Sequence, residues 1–160
     1  MAAARFAALT DTQVVMACTV VLYLKYWVCL ILGAMSKYPA GSRPPEDGPP
    51  GKQSFGLAAD DDKVVKAAKV NEMRWNRIVG NDIENIPIGL IMSWACVVCR
   101  ADPATTKAAV VVFTSARVFH SIFYAIALSR PRGFAYLVQT GCIMTLAWNG
   151  LTGAFAASSP

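Results

Sequence analysis

Arg74, Arg77, Asn81 and Glu84 stand three, four and three residues apart, a spacing that gathers them within an arc of about 80° on one face of an α-helix. Further along, Arg117, His120 and Tyr124 repeat the spacing of three and four, and Arg132 and Tyr136 are four apart. Guanidinium groups bind carboxylates through paired hydrogen bonds, and a Glu beside them can pair with an ammonium. Basic residues outnumber carboxylates in these stripes, which leaves positive charge for an anionic ligand to neutralise. Residue types alone admit two readings: a ligand site, or an interhelical ion-pair network, such as Arg117 with Glu84, that only holds helices together. His120 by itself fits a hydrogen-bonded packing residue.

The elements that must position these side chains are apolar. Of 160 residues, 55% are apolar and 16% charged, a balance that belongs to a membrane protein and not to a soluble domain of this size. Lys and Arg crowd between Lys37 and Arg77 and recur at Arg130 and Arg132, after which no residue is charged. The expected fold is all-α, an integral membrane four-helix bundle in one domain over 1–160. Its helices are placed at about 12–36, 62–99, 103–128 and 132–156, with a solvent-exposed loop at 37–61.

Local signals mark the boundaries. Thr10 followed by Gln13 reads as a capping box, Asp60-Asp61-Asp62 offers an N-cap, and Asp102-Pro103 is an N-cap before a first-position proline. The Pro/Gly-rich run from Ser42 to Gly51 is expected to be non-helical, Pro87 invites a kink, and Ser129-Arg130-Pro131-Arg132 reads as a tight turn. Lys25, near the middle of the first apolar stretch, is expected to snorkel or to pair between helices. Ten basic residues fall on the side of the first and third loops and three on the other, which predicts termini facing away from the cytosol.

Other classes are disfavoured. No Lys/Arg run interleaves with aromatics and no nucleic-acid module is present, so no nucleic-acid partner is expected. Five cysteines in or beside apolar stretches, an odd number, do not make a secreted disulfide framework. Cys96 and Cys99 form a C-x-x-C, but without a second pair or a clustered His they read as buried thiols, and no metal site is expected.

The strings that carry the stripes resemble one family closely. Arg74-Trp-Asn-Arg77-Ile-Val-Gly-Asn81-Asp82-Ile-Glu84-Asn-Ile86 resembles the second-helix signature R-x-x-R-x-x-x-N-D-x-E-x-I of the membrane-associated proteins in eicosanoid and glutathione metabolism. Ala116-Arg117-Val118-Phe119-His120-Ser-Ile-Phe-Tyr124 resembles its third-helix segment, Arg132 and Tyr136 its fourth-helix pair, and Pro45-Glu46-Asp47 the N-P-E-D turn of its first loop. The likeness is to microsomal glutathione transferases and microsomal prostaglandin E synthase. It implies a homotrimer of four-helix protomers that binds glutathione. Carried over by position, Lys37, Arg77, Asn81, Glu84, His120, Tyr124 and Tyr136 would hold the tripeptide, and Arg132 would be catalytic, its fixed charge favouring the thiolate. Asp47 is a further participant by the same resemblance.

The function implied is glutathione transfer to lipophilic electrophiles, or reduction of lipid hydroperoxides, with the second substrate drawn from the bilayer. The expected location is the endoplasmic reticulum or another organellar membrane such as the mitochondrial one, among membrane lipids. Gly80, Gly133 and the proline-dense loop depart from the pattern and motivate an alternative, a non-catalytic accessory subunit of a larger membrane complex. A third reading, a lipid-presenting relative like the lipoxygenase-activating protein, fits less well because that relative lacks much of the Arg and Glu set.

Overall fold

The computed structural model describes residues 8–49, 51–57 and 62–156. Four α-helices account for most of them: α1 (Asp11–Ser36), α2 (Lys63–Val98), α3 (Pro103–Ala125) and α4 (Ser129–Ala156). The chain divides into two compact units, one of Met1–Lys25 with Asp82–Pro160 and one of Tyr26–Asn81, so α1 and α2 each contribute to both.

Each helix start has a local cause. At α1 the Thr10 N–H donates to Gln13 Oε1 (2.9 Å) while the Gln13 N–H donates to Thr10 Oγ1 (3.2 Å), the reciprocal capping box. At α2 the Val64 N–H donates to Asp62 Oδ1 (2.9 Å), so Asp62 is the cap; Asp60 and Asp61 lie outside the described residues. At α3 the Asp102 carboxylate accepts from the Thr105 N–H (2.8 Å) and Pro103 occupies the first turn, where its missing N–H costs nothing.

The reversal between α3 and α4 differs from expectation, while α1, α2 and α4 end within a residue of where the sequence places them. α3 stops at Ala125 and not near 128, and α4 begins at Ser129 and not at 132. The reversal is made by Ile126-Ala127-Leu128: Ala127 has φ 62°, and the N–H groups of Ala127 and Leu128 donate back to Tyr124 and Phe123 carbonyls (3.2 and 2.8 Å). This is the left-handed C-terminal cap usually built on glycine. The expected turn Ser129–Arg132 is instead the first turn of α4, in which Pro131 is tolerated because no N–H is needed there. The end of α2 repeats the device at Arg100 (φ 53°), with Ala101 N–H donating to Cys96 O (3.0 Å).

In the first unit α1 residues Val14, Val15 and Cys18 pack with Val110 of α3 against Trp94 and Val97 of α2, while Cys96, Ala101, Ala109 and Leu146 join α2, α3 and α4. Two glycines permit this closeness. A Cβ on Gly89 would lie 2.1 Å from the Phe113 ring, and one on Gly153 would lie 2.8 Å from the Ala101 Cα. Pro87 lies within α2, which continues on either side of it. Among the described residues α1 and α3 are long and apolar enough to cross a membrane. In α1, Met16, Val20, Val21, Tyr23 and Leu24 are exposed, an apolar surface that hydrocarbon would cover. α2 and α4 interrupt their apolar runs with polar side chains.

The second unit contains a folded loop. The chain expected to be non-helical includes one 3-10 turn, Pro45–Asp47, which a proline at its first position favours. Gly41 O accepts from Ser54 and Gly56 N–H groups (3.1 and 3.0 Å), and buried Gln53 donates to Tyr38 O and accepts from the Arg43 N–H (both 3.1 Å). Ser42 Oγ donates to Glu72 Oε2 of α2 (2.6 Å).

Candidate functional site: a buried ionic node beside an arginine–tyrosine stack

The polar residues of α2 fall on two faces. Asp82 is buried, with Asn85 half-buried near it, whereas Arg77 and Glu84 are exposed. A step of two residues turns an α-helix by about 200°, so Asp82 and Glu84 point to opposite sides. Asp82 accepts from two cations at once, Lys25 of α1 and Arg117 of α3. Arg117, fully buried, also donates through Nη1 to Gln139 Oε1 of α4 (2.6 Å), and Gln139 Nε2 donates to Asn85 Oδ1 (3.0 Å). Such groups are tolerated away from water only when paired and hydrogen-bonded, and here four helical segments supply the partners. Lys25 is therefore an interhelical pairing residue. Arg117 uses Asp82 and not Glu84, because the inward face of α2 presents Asp82.

One turn further along α3, His120 is 3% exposed and sets its ring edge-on to Tyr124, with centroids 5.9 Å apart. Its Nδ1 is buried without a hydrogen-bond partner among the described residues. The guanidinium of Arg132, in the first turn of α4, lies over the Tyr124 ring at 4.3 Å from its centroid, a cation–π contact. A planar guanidinium carries its five N–H donors around its edges, which suits it to bind a carboxylate or other anion. Tyr136, one turn on, is 43% exposed.

Of the eight residues singled out from sequence, Glu84, His120, Tyr124, Arg132 and Tyr136 belong to the first unit, and His120, Tyr124 and Arg132 are brought into one contiguous group. Lys37, Arg77 and Asn81 belong to the second, where Lys37 and Asn81 are half-buried and Arg77 exposed. The second unit also holds a cleft of about 590 Å³ bordered by Tyr38, Lys52, Gln53, Asp62 and Lys69, and none of the eight lines it. Asp47 forms an ion pair with Arg43 (2.6 Å), whose guanidinium covers Tyr38. Cys96 is buried and its thiol donates to Leu146 O (3.1 Å), while Cys99 is half-buried and both are free thiols.

The sequence reading did not single out Gln139. It is, with Asn149, one of two buried amides of α4, and its one advance signal is its depth: an amide there needs a partner. Asp82 lay within the quoted second-helix string without a role.

Compared with models of known families, residues 14–152 match that of the MAPEG family, a span that takes in most of the chain and the greater part of each of the four helices. No curated protein matches the chain.

Proposed function

From the chain's membership of the MAPEG family, to which it belongs by that match, we propose that it is a membrane-bound glutathione transferase or peroxidase with Arg132 as its catalytic residue. The observation that carries the reading is the Arg132–Tyr124–His120 group: a guanidinium held by an aromatic face at the start of a helix, its N–H donors suited to an anion. Glutathione carries two carboxylates, an ammonium and a thiol. A fixed cation beside the sulfur stabilises thiolate over thiol, and the thiolate is the nucleophile. The thiolate then attacks an electrophilic carbon of a lipophilic acceptor, displacing halide from a chlorinated aromatic. With a lipid hydroperoxide it attacks the O–O bond, giving a sulfenic acid and an alkoxide that takes a proton to become the alcohol; a second glutathione then yields the disulfide and water.

Glu84 would pair with the ammonium, and His120, Tyr124 and Tyr136 would hydrogen-bond the tripeptide. Lys37, Arg77 and Asn81 keep the binding roles that the resemblance implies. Exposure of Arg77, Glu84 and Tyr136 in one protomer suits a homotrimer whose neighbours cover them. All four helices are proposed to span an organellar membrane, the endoplasmic reticulum first, with the lipophilic substrate arriving from the bilayer.

A second reading, a non-catalytic accessory subunit, draws on Gly80 and Gly133. Nothing lies within 4 Å of a Cβ placed at either, so packing does not demand glycine there. Migration within a large complex on a native gel in mild detergent would favour it; migration as a trimer would oppose it.

The test of the enzyme reading is turnover by purified protein of a chlorinated aromatic acceptor and a lipid hydroperoxide with glutathione. Arg132→Ala is expected to lower turnover more than glutathione affinity, since the charge acts on the thiolate. Unchanged activity in that variant would overturn the assignment.

A further inference from the structure

We propose that Gln139 is a positioning residue for Arg132: its hydrogen bond with Arg117 sets the register of α4 against α3 that places the Arg132 guanidinium over Tyr124. This rests on the role proposed above for Arg132. Successive helices joined by a three-residue reversal run antiparallel, so paired positions keep a constant sum of residue numbers. Arg117 with Gln139 and Tyr124 with Arg132 have the same sum, each pair being seven residues, or two turns, from the other along both helices. His120 with Tyr136 falls between them on the same sum. The buried pair and the site pair are therefore two rungs of one ladder.

The lower rung is the stiffer of the two. Arg117 and Gln139 are both fully buried, the bond between them is 2.6 Å, and each is tied again, Arg117 to Asp82 and Gln139 to Asn85 of α2 (3.0 Å). The upper rung is a stacking contact with half-buried partners, at the ends of α3 and α4. A slip of one residue along a helix shifts a side chain by about 1.5 Å and turns it by about 100°, enough to take Arg132 off the ring. The Arg117–Gln139 bond penalises that slip, because a displaced α4 would leave a buried guanidinium N–H and a buried amide without partners. A second buried polar pair between the two helices, Asn149 Nδ2 donating to Thr106 Oγ1 (2.9 Å), lies about three turns farther from the site than the Arg117–Gln139 bond, which is therefore the nearer constraint on Arg132.

The test uses the full-length protein and two variants. Gln139→Leu removes both hydrogen bonds while filling the space; Gln139→Glu keeps an acceptor for Arg117 and gives up only the donor to Asn85. Ultraviolet absorbance of bound glutathione, titrated with pH, reports the thiolate, and steady-state kinetics separate turnover from glutathione KM. Gln139→Leu is expected to raise the pH midpoint of thiolate formation by about one unit and to lower kcat by about tenfold, within the range an ångström of misplacement gives. KM should stay within about twofold, and Gln139→Glu should restore most of both effects. If Gln139→Leu does not fold, Gln139→Asn, whose amide falls one methylene short of Arg117, is expected to move both readouts in the same direction.

A separate measurement needs no activity. Spin labels carried on unnatural amino acids at positions 119 and 137, exposed and on the same sum, report the α3–α4 register. Their distance distribution should broaden or shift in Gln139→Leu and not in Gln139→Glu. An unchanged distribution overturns the positioning role whether or not the protein is an enzyme. Wild-type protein that forms no thiolate and turns nothing over defeats the enzyme reading, and the label distances then decide the register claim alone. A thiolate midpoint and kcat unaffected by Gln139→Leu in an active enzyme defeat the positioning role and leave the enzyme reading standing.

Discussion

Replacing Asp82 by Asn keeps the size of the side chain and deletes one negative charge at a position 1% exposed. Two cations lose their carboxylate at once, Lys25 and Arg117, whose side chains are 10% and 0% exposed. Breaking one buried ion pair by removing a partner costs about 3–5 kcal/mol, because the remaining charge stays desolvated. Asp82 serves two such charges, so the upper end applies, about 5 kcal/mol. Against a total stability of roughly 5–15 kcal/mol this is a third or more. For a chain of this length it amounts to a fall in Tm of about 10–20 °C, measured by thermal unfolding in detergent. Removing one of the stranded cations should recover part of the loss, so Lys25→Met added to Asp82→Asn is expected to be more stable than Asp82→Asn alone. A loss below about 1 kcal/mol for Asp82→Asn, or additive losses in the double variant, would show that the node is not electrostatically coupled as its geometry implies.

Two further outcomes follow from the helix ends. Ala127→Gly relieves a left-handed residue that costs an L-amino acid about 1–2 kcal/mol, and after the greater freedom of the unfolded chain a net gain of about 0.5–1 kcal/mol in thermal unfolding is expected; a decrease would contradict the cap geometry. The Asp102 carboxyl is held below its usual 3.8 by the hydroxyl of Thr105 and then by the Thr105 N–H. A depressed carboxylate stabilises the fold above its unfolded pKa and ceases to do so as pH falls through its folded one. Asp102→Ala should therefore melt lower than wild type at neutral pH, with the difference shrinking in the acid range below 3.8, and a difference independent of pH would count against the cap.

Helix starts were legible because they are local: the Thr10–Gln13 box and the Asp102-Pro103 cap each need only a few adjacent residues, and both form as read. The end of α3 was not, because Ala127 takes the left-handed position where glycine would have announced the stop; α2 ends at Val98, within a residue of expectation, although Arg100 stands in the same conformation. Without that signal the run of apolar residues carries the expected third helix past its true end, and Pro131 then looks like a turn residue when it is a first-turn one. The stripes themselves were visible from spacing, but not their partners. Whether Arg117 meets Asp82 or Glu84 depends on how far α2 is rotated about its axis, and Ile86 and Gly89, four and seven residues after Asp82, are buried on the same face as it. Gln139 was missed for a related reason: a single amide acquires its role only when α4 is docked, and nothing around it in the chain marks it.

In the proposed function the Arg132 cation turns bound glutathione from thiol to thiolate. Calorimetric titration of the purified protein with glutathione at neutral pH, repeated in two buffers of different ionisation enthalpy, counts the protons released on binding. Saturable binding that releases about one proton per occupied site in wild type, and close to none in Arg132→Ala, is the result expected. Absence of saturable binding, or binding whose heat is the same in both buffers, would contradict it.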